Sequence, residues 1–473
     1  MAEFQSTTDF QVKDVIISPA DGSKGYGIKN LVADITYVEN IKYPFVMAMM
    51  EVVDSAGLIT KLPIQGGELV KIIIKTNIEP SGFEYNFRVW KIANRYVQNK
   101  DQAYTLGLIS EESLNNESLR IIKSIDGPPD KIIDGLLKKE LKTKKEYYSE
   151  PCVYSIKLIA ARRRVFDIIA TLLPKSVPGS GQIKPSTAAK LPNTPTQGEE
   201  QKVSGSAGFF FWENRRGYNF FSVDTLCSDK PTGRYDGKPW GPYVEKLANQ
   251  SDGADDRFTI ASTLFTSEID LLTSMRMGRY STRMCFFNHS TGQYDEYVYN
   301  VKEAFDDMKH LGTQAEPSLI KLSKDKTLAD YPTRMMSMLL DHETWYNEIT
   351  PASPYPKDGS TSPSLYAERH LEYAAQSITR YETLSNQTAT IVVPGNSKIC
   401  AGDKIDIKLI NKLPDADLKT EPYDPENSGI YLVIEVSHSY DRTSGTNGKF
   451  TTTLRLARDT HGDKNKVSKH GTK

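Results

Sequence analysis

Residues Gly66–Ser110 and Ala401–Asp459 carry the same ordered set of three strand-like segments. The first set reads GGELVKIIIK, GFEYNFRVWKIANRY and DQAYTLGLIS; the second reads AGDKIDIKL, GIYLVIEVSHSYDR and FTTTLRLARD. Each set opens on a glycine and an acid, Gly67-Glu68 or Gly402-Asp403, that lead into an alternating strand. Each passes a further glycine, Gly82 or Gly429, into a long alternating strand. Each closes on a short one, Tyr104–Leu108 or Thr452–Leu456. Alternation with period two puts one face of a strand in a core and the other outside. The connecting loop is the main difference in length, and loops absorb insertions at low cost. The same grammar would fit two unrelated meanders, but the matched glycines favour two copies of one small antiparallel β-barrel. Everything else in the chain must then fit between or around them.

A chain of 473 residues exceeds what one core can hold and is expected to divide into three or four domains. The formal net charge is -1 with 25% charged residues, which argues against a dedicated nucleic-acid binder. Cys152, Cys227, Cys285 and Cys400 lie far apart in sequence and form no metal or disulfide pattern, so they read as isolated thiols. The opening MAEFQSTTDF lacks a basic start and apolar run, and no apolar stretch reaches bilayer length. The expectation is a soluble protein made in a reducing compartment.

Taken in order, Ile28–Ile41 alternates around Leu31, Ala33, Ile35 and Tyr37, and Phe45–Val53 is a nearly continuous apolar run, as in a strand buried on both faces. The polar stretch SEESLNNESLR reads as strand and turn. Asp130–Leu141 aligns Ile132, Ile133, Leu136, Leu137 and Leu141 on one helical stripe, and a second helix is expected over Val165–Leu173. Arg162, Arg163 and Arg164 before it read as a solvated turn or ion pairs with Asp167 and Glu150. Lys175–Ala207 has linker composition. Phe209–Trp212 and Tyr218–Val223 form a hairpin about the turn Asn214-Arg215-Arg216-Gly217, so rich in aromatics that it suits a core or an interface. Lys230–Arg257 reads as turns, Phe265–Met275 as a helix, and Gly278–Val301 as a hairpin around His289–Gly292. An apolar stripe follows at Met335–Leu340, then a loop at Pro351–Pro363 and an amphipathic helix over Tyr366–Glu382.

No catalytic constellation emerges. His342-Glu343 starts like a zinc-protease helix but has no second histidine at the required spacing. There is no GxSxG elbow or P-loop, and Asp252, Asp255 and Asp256 lack the spacing of a calcium loop. His438 on a strand reads as structural. The expectation is therefore no catalytic residues, no cofactor and no metal site. Trp90, Tyr96, Tyr431 and Tyr440 are candidates for interfaces.

With these segments in place, the chain resembles the baseplate hub proteins of contractile-tailed phages, whose trimer joins the tail tube to the central spike. The resemblance rests on the first barrel, SIDGPPDKIIDGLL, FFFWENRRGYNFFSVDTL and the AGDKIDIKL to FTTTLRLA close, in that order. It implies an α+β, mostly β chain: two similar tube-like barrels with a mixed α/β insert between them. Residues 1–110 would form the first barrel, 111–230 and 231–380 the insert, 381–460 the second barrel, and 461–473 a loose basic tail. It further implies a homotrimeric virion component, assembled in the host cytoplasm, with a channel for the genome. Its partners would be the spike, the first tail-tube ring, and wedge or tape-measure proteins. DNA would pass without specific binding. Contacts between subunits would fall on Phe83–Trp90 and Ile430–His438. Two rivals remain: a tail-borne cell-wall hydrolase, and an oligonucleotide-binding barrel.

Overall fold

The computed structural model describes residues 6–462, except 56, 63, 99–100, 153–155, 181–201, 204, 246–255, 266–270, 289–292, 314–320, 325, 341–363, 412–421 and 445–447. Most of the expected linker lies outside the described residues. So do Asp252, the turn at His289, His342-Glu343, the Pro351–Pro363 loop and the basic tail beyond Gly462.

The chain is mostly β, and its largest element is one sheet of 14 strands. In the N-terminal part these are β1 (Phe10–Ser18), β2 (Tyr26–Gly27), β3 (Val32–Asn40), β4 (Met47–Asp54), β5 (Leu69–Thr76), β6 (Phe83–Gln98) and β7 (Asp101–Ile109). The later ones are β8 (Trp240–Glu245), β9 (Thr259–Ile260), β10 (Ser262–Phe265), β11 (Gln387–Pro394), β12 (Lys404–Lys408), β13 (Gly429–Asp441) and β14 (Lys449–Arg458). Hydrogen bonding orders the first set β3-β4-β7-β6-β5-β1-β2 and the second β10-β11-β14-β13-β12-β8-β9. Strand for strand, the two orders are the same. One direction differs: β1 runs antiparallel to β5, whereas β8 runs parallel to β12.

The likeness reaches single hydrogen bonds. The Gly67 N–H donates to the Val89 carbonyl at 2.7 Å and the Val89 N–H to that of Glu68 at 2.9 Å. Gly402, Val433 and Asp403 repeat the pair at 2.9 and 2.8 Å. The acid after each glycine caps its own turn, Glu68 accepting from the Gln65 N–H at 2.7 Å and Asp403 from the Cys400 N–H at 3.1 Å. Both long strands then carry a β-bulge at the same place, between Val89 and Lys91 and between Val433 and Glu435.

The expectation of two closed barrels is not met. Among the described residues, no ladder joins the end strands directly in either copy. Instead the copies share one sheet: β12 covers β13 only over Gly429–Leu432, and the remainder, Glu435–Asp441, pairs antiparallel with β3. A strand that outruns its neighbour leaves backbone donors and acceptors open, and β3 offers the edge that satisfies them. Three further expectations are corrected. β4 is buried on one face only, with Met49 62% and Val53 47% exposed. Glu111–Ser118 is a helix, begun by two acids in its first turn. Phe265 ends a strand and the helix expected from it runs over Leu271–Met277, so β8, from a stretch read as turns, joins β9 and β10 to complete the second copy.

The insert packs a core of its own. Helix Pro129–Gly135, prolonged through Glu140, buries the expected stripe against helix Val165–Leu172 and the strand pair Ile121–Gly127 and Ile156–Arg163. The aromatic hairpin, Phe209–Asn214 and Gly217–Ser222, is buried along its whole length. Its alternation splits it between two cores: Phe209, Phe211, Tyr218 and Phe220 face the insert, while Phe210, Trp212 and Phe221 enter the second copy's core. Helix Ser364–Leu384 precedes β11, and against it lies a three-stranded sheet of Ser281–Asn288, Gln293–Asn300 and Arg334–Leu340. None of the helices among the described residues is long and apolar enough to cross a membrane.

Gly67 and Gly402 share a φ of 92°, yet a Cβ would meet nothing closer than 3.7 Å at Gly67 and Trp212 Cζ2 at 2.4 Å at Gly402. Gly67→Ala is expected to cost about 1–2 kcal/mol through left-handed backbone strain alone. Gly402→Ala should cost roughly 2 kcal/mol more from overpacking. Urea unfolding of the two variants checks this, and equal losses would contradict the packing.

Candidate functional site: the joint between the two copies

The residues best placed to matter for function are those that fix one copy against the other. On the core side the joint is aromatic. Tyr37 stacks on Tyr85 with ring centroids 4.3 Å apart and on His438 at 6.0 Å, and Tyr440 stacks on Phe450 at 4.4 Å. Tyr440 and Phe450, both from the second copy, are members of the first copy's core. Burial first, then the charge of Arg215, pushes the His438 imidazole down to about 3, so the ring is neutral and bonded to the Thr452 hydroxyl at 3.0 Å. That is the structural role expected for it.

On the other side the tip of the aromatic hairpin enters the joint. The Arg215 guanidinium holds Glu79, which follows β5, through bonds of 2.9 and 3.1 Å. The Arg216 guanidinium holds Asp403, at the start of β12, through bonds of 2.6 and 2.7 Å. Adjacent residues of one turn thus each grip a different copy. Glu39, from β3, completes the arrangement. Its carboxylate accepts from the Arg215 N–H at 2.7 Å, the Ala401 N–H at 2.8 Å and the Tyr37 hydroxyl at 2.7 Å. Burial pushes this carboxyl up, and those bonds offset the effect only in part. Burial opposes the charge on Arg215 as well, but the bond to Glu79 and the neighbouring ionisable groups together outweigh it and the group is held above its ordinary value. Asp403 also accepts from the Trp240 indole N–H at 2.9 Å, and the Trp212 indole donates to the Ala401 carbonyl at 2.9 Å.

A second buried cluster fixes the long helix to the end of β14. Arg380, fully buried on that helix, meets Asp459 at 2.8 Å and Asp224 at 3.0 Å. Asp459 also takes the Leu311 N–H at 2.9 Å and His310 Nδ1 at 2.7 Å. Against the desolvation that would raise it, the His310 bond and the Arg380 charge hold the Asp459 carboxyl down at about 2.

The structure sorts the residues picked out from sequence. Tyr440 lies in the internal joint and Tyr431 in the second copy's core, both without exposure, whereas Trp90 and Tyr96 are 50% and 61% exposed. Tyr85, Phe87, Val89 and Tyr431–Val433 are core residues within the two segments expected to make contacts. In the arginine triplet, Arg164 pairs with Asp167 as expected, and with Glu117, while Glu150 instead accepts from Ser222 and Thr225. All four cysteines are buried and free. Glu39 and Glu79 were missed, because nothing in their local sequence marks them. Asp403 was visible only as the opener of a strand. Among the described residues no three His, Cys, Asp or Glu side chains are grouped to hold a metal.

This pairing of two like seven-strand units, locked by a hairpin from an insert, is similar in fold to a solved tail protein. The chain is similar to the tail protein from Neisseria meningitidis MC58: TM-score 0.50, 11% identity, covering 95% of this chain and 97% of that one. The 43 kDa tail protein of prophage MuSo2 from Shewanella oneidensis is also similar, with TM-score 0.48, 8% identity, and coverage of 94% and 98%. So is prophage tail protein gp18 from Listeria monocytogenes EGD-e, with TM-score 0.42, 7% identity, and coverage of 94% of both chains. No protein-family model and no curated protein sequence matches the chain.

Arg216→Ala leaves Asp403 charged, buried and short of its main partner, so it is expected to cost about 3 kcal/mol in urea unfolding. Arg234→Ala, which breaks an exposed pair with Glu146, should leave the urea midpoint nearly unchanged. For Asp459 the folded value lies below the ordinary one. Its contribution is therefore complete above pH 4 and is lost as pH falls from about 4 towards 2. Asp459→Asn should flatten the stability profile over that interval by roughly 2 kcal/mol, measured as thermal unfolding against pH.

Proposed function

We propose that this chain is the central hub of a phage-type tail baseplate, a structural virion component with no enzymatic role. Three copies would place six like units around one axis, forming a collar that matches a six-fold tail tube on one side and a three-fold spike on the other. The observation that carries this is the equivalence of the two seven-strand units and their lateral union in one sheet. A chain that repeats a unit side by side presents two similar docking surfaces, and cyclic symmetry multiplies them. The likeness to a tail protein over nearly its full length supports the same reading.

In this reading the shared sheet and its tube-like copies receive the first tube ring, and the insert faces the spike. Wedge and tape-measure proteins are further neighbours. The genome passes through the central opening during ejection without sequence-specific contact, in keeping with the near-zero net charge. The protein assembles in the host cytoplasm and ends in the tail.

Light scattering provides the test. The expected mass is three times that of the 53.1 kDa chain, alone or on mixing with its spike partner. A chain that stays monomeric in both conditions would overturn the proposal.

A further inference from the structure

The joint inside the chain is made by β13 and β3, and each has a counterpart in the other copy, β6 and β10. The counterparts do not meet. β5 covers β6 only from Phe83 to Arg88, so among the described residues the stretch from Lys91 onward is paired on one side alone, by β7. β10 is likewise paired on one side alone, by β11. Both edges carry open backbone donors and acceptors.

Exposed apolar side chains gather at these two edges: Trp90 at 50%, Tyr96 at 61%, Leu264 at 63% and Phe265 at 42%. The internal joint accounts for Trp90. It occupies the bulge of β6, the position that Ile434 holds in β13. Ile434 is only 7% exposed, and its carbonyl accepts the Ile41 N–H at 3.0 Å across the joint. Trp90 holds the same place in a copy whose joint is unmade.

We propose that β10 of one chain adds, antiparallel, to the Tyr96–Gln98 end of the β6 edge in a second chain, repeating between molecules part of the joint that β3 and β13 make within one. It rests on the ring reading above and names the surfaces through which the chains of that ring meet. The contact is strand addition, with backbone bonds for affinity and apolar side chains for fit. It joins unlike surfaces head to tail, the kind of contact that generates a ring when the rotation closes.

The ladders set the register. β6 has a further bulge between Ala93 and Tyr96 that β13 lacks; past it, Tyr96 stands opposite Ala103 as Ser439 stands opposite Thr451. Leu264 stands opposite Thr390 as Thr36 stands opposite Met49. Ser439 pairs with Thr36 in the internal joint, so Tyr96 of one chain faces Leu264 of the next.

The pairing is tested with the full chain carrying Tyr96→Cys and Leu264→Cys together, oxidised and run on a non-reducing gel. The native cysteines are all buried, which keeps the background low. Covalent oligomers are expected from the double variant and not from either single one. In parallel, Tyr96→Glu should weaken association by roughly thirtyfold in sedimentation velocity, the effect of losing a tyrosine anchor, with thermal unfolding of the isolated chain unchanged because the side chain is 61% exposed. Absence of the cross-link in the double variant overturns the pairing. A three-fold mass that survives Tyr96→Glu also overturns it, while leaving the ring reading intact with its joint elsewhere. A double variant that cross-links through these positions, beside a wild-type chain that never reaches three-fold mass, upholds the pairing and sinks the ring.

Discussion

Two neighbouring arginines at one hairpin tip hold carboxylates from opposite copies of a repeated unit. Arg215 takes Glu79 and Arg216 takes Asp403, while Glu39 between them binds backbone N–H groups of Arg215 and Ala401. Charges this far from water persist only when each is paired and hydrogen-bonded, because the desolvation cost of an unpaired ion is several kcal/mol. Such a cluster tolerates one geometry and rejects near alternatives. The angle between the copies is thereby set by the insert, which is otherwise packed around its own core.

The aromatic hairpin is therefore more than filler. With one face in the insert core and the other in the second copy's core, it makes three regions of the chain a single mechanical body. The Arg380 cluster does the same at the far end, binding the long helix to the residue after β14. The arrangement resists distortion, since displacing any part would expose a buried ion. Rigidity also explains how an exposed edge can be held in position for a partner. Trp90 and Leu264 stay outside because the strands that bear them are fixed by their other neighbours.

The repeat was legible because its signals are local. Gly67-Glu68 and Gly402-Asp403 each pair a left-handed backbone position with a side chain that caps its own turn, and that chemistry needs only a few adjacent residues. The insert helices and the hairpin were legible for the same reason, through period and turn composition. β8, β9 and β10 were not. They are short, carry little alternation, and are strands because β12, β8 and β11 present open edges to them. β4 misled in the opposite sense, since an apolar run is the same whether or not its second face is covered.

By itself the amino-acid sequence determined that the chain holds two like β units, where their turns fall, and which side chains line their cores. Glycine geometry, alternation and capping act over a few residues and leave a readable trace. Only the tertiary structure decided that the units share one sheet instead of closing separately, and that Glu39, Glu79 and Asp403 converge on two arginines. Those outcomes depend on strand edges and buried charges hundreds of positions apart in sequence, for instance Ala401 and Glu39, separated by 362 residues. A pairing at that range is chosen by which open backbone groups and which ions can be satisfied at once, and no short stretch of sequence records that choice.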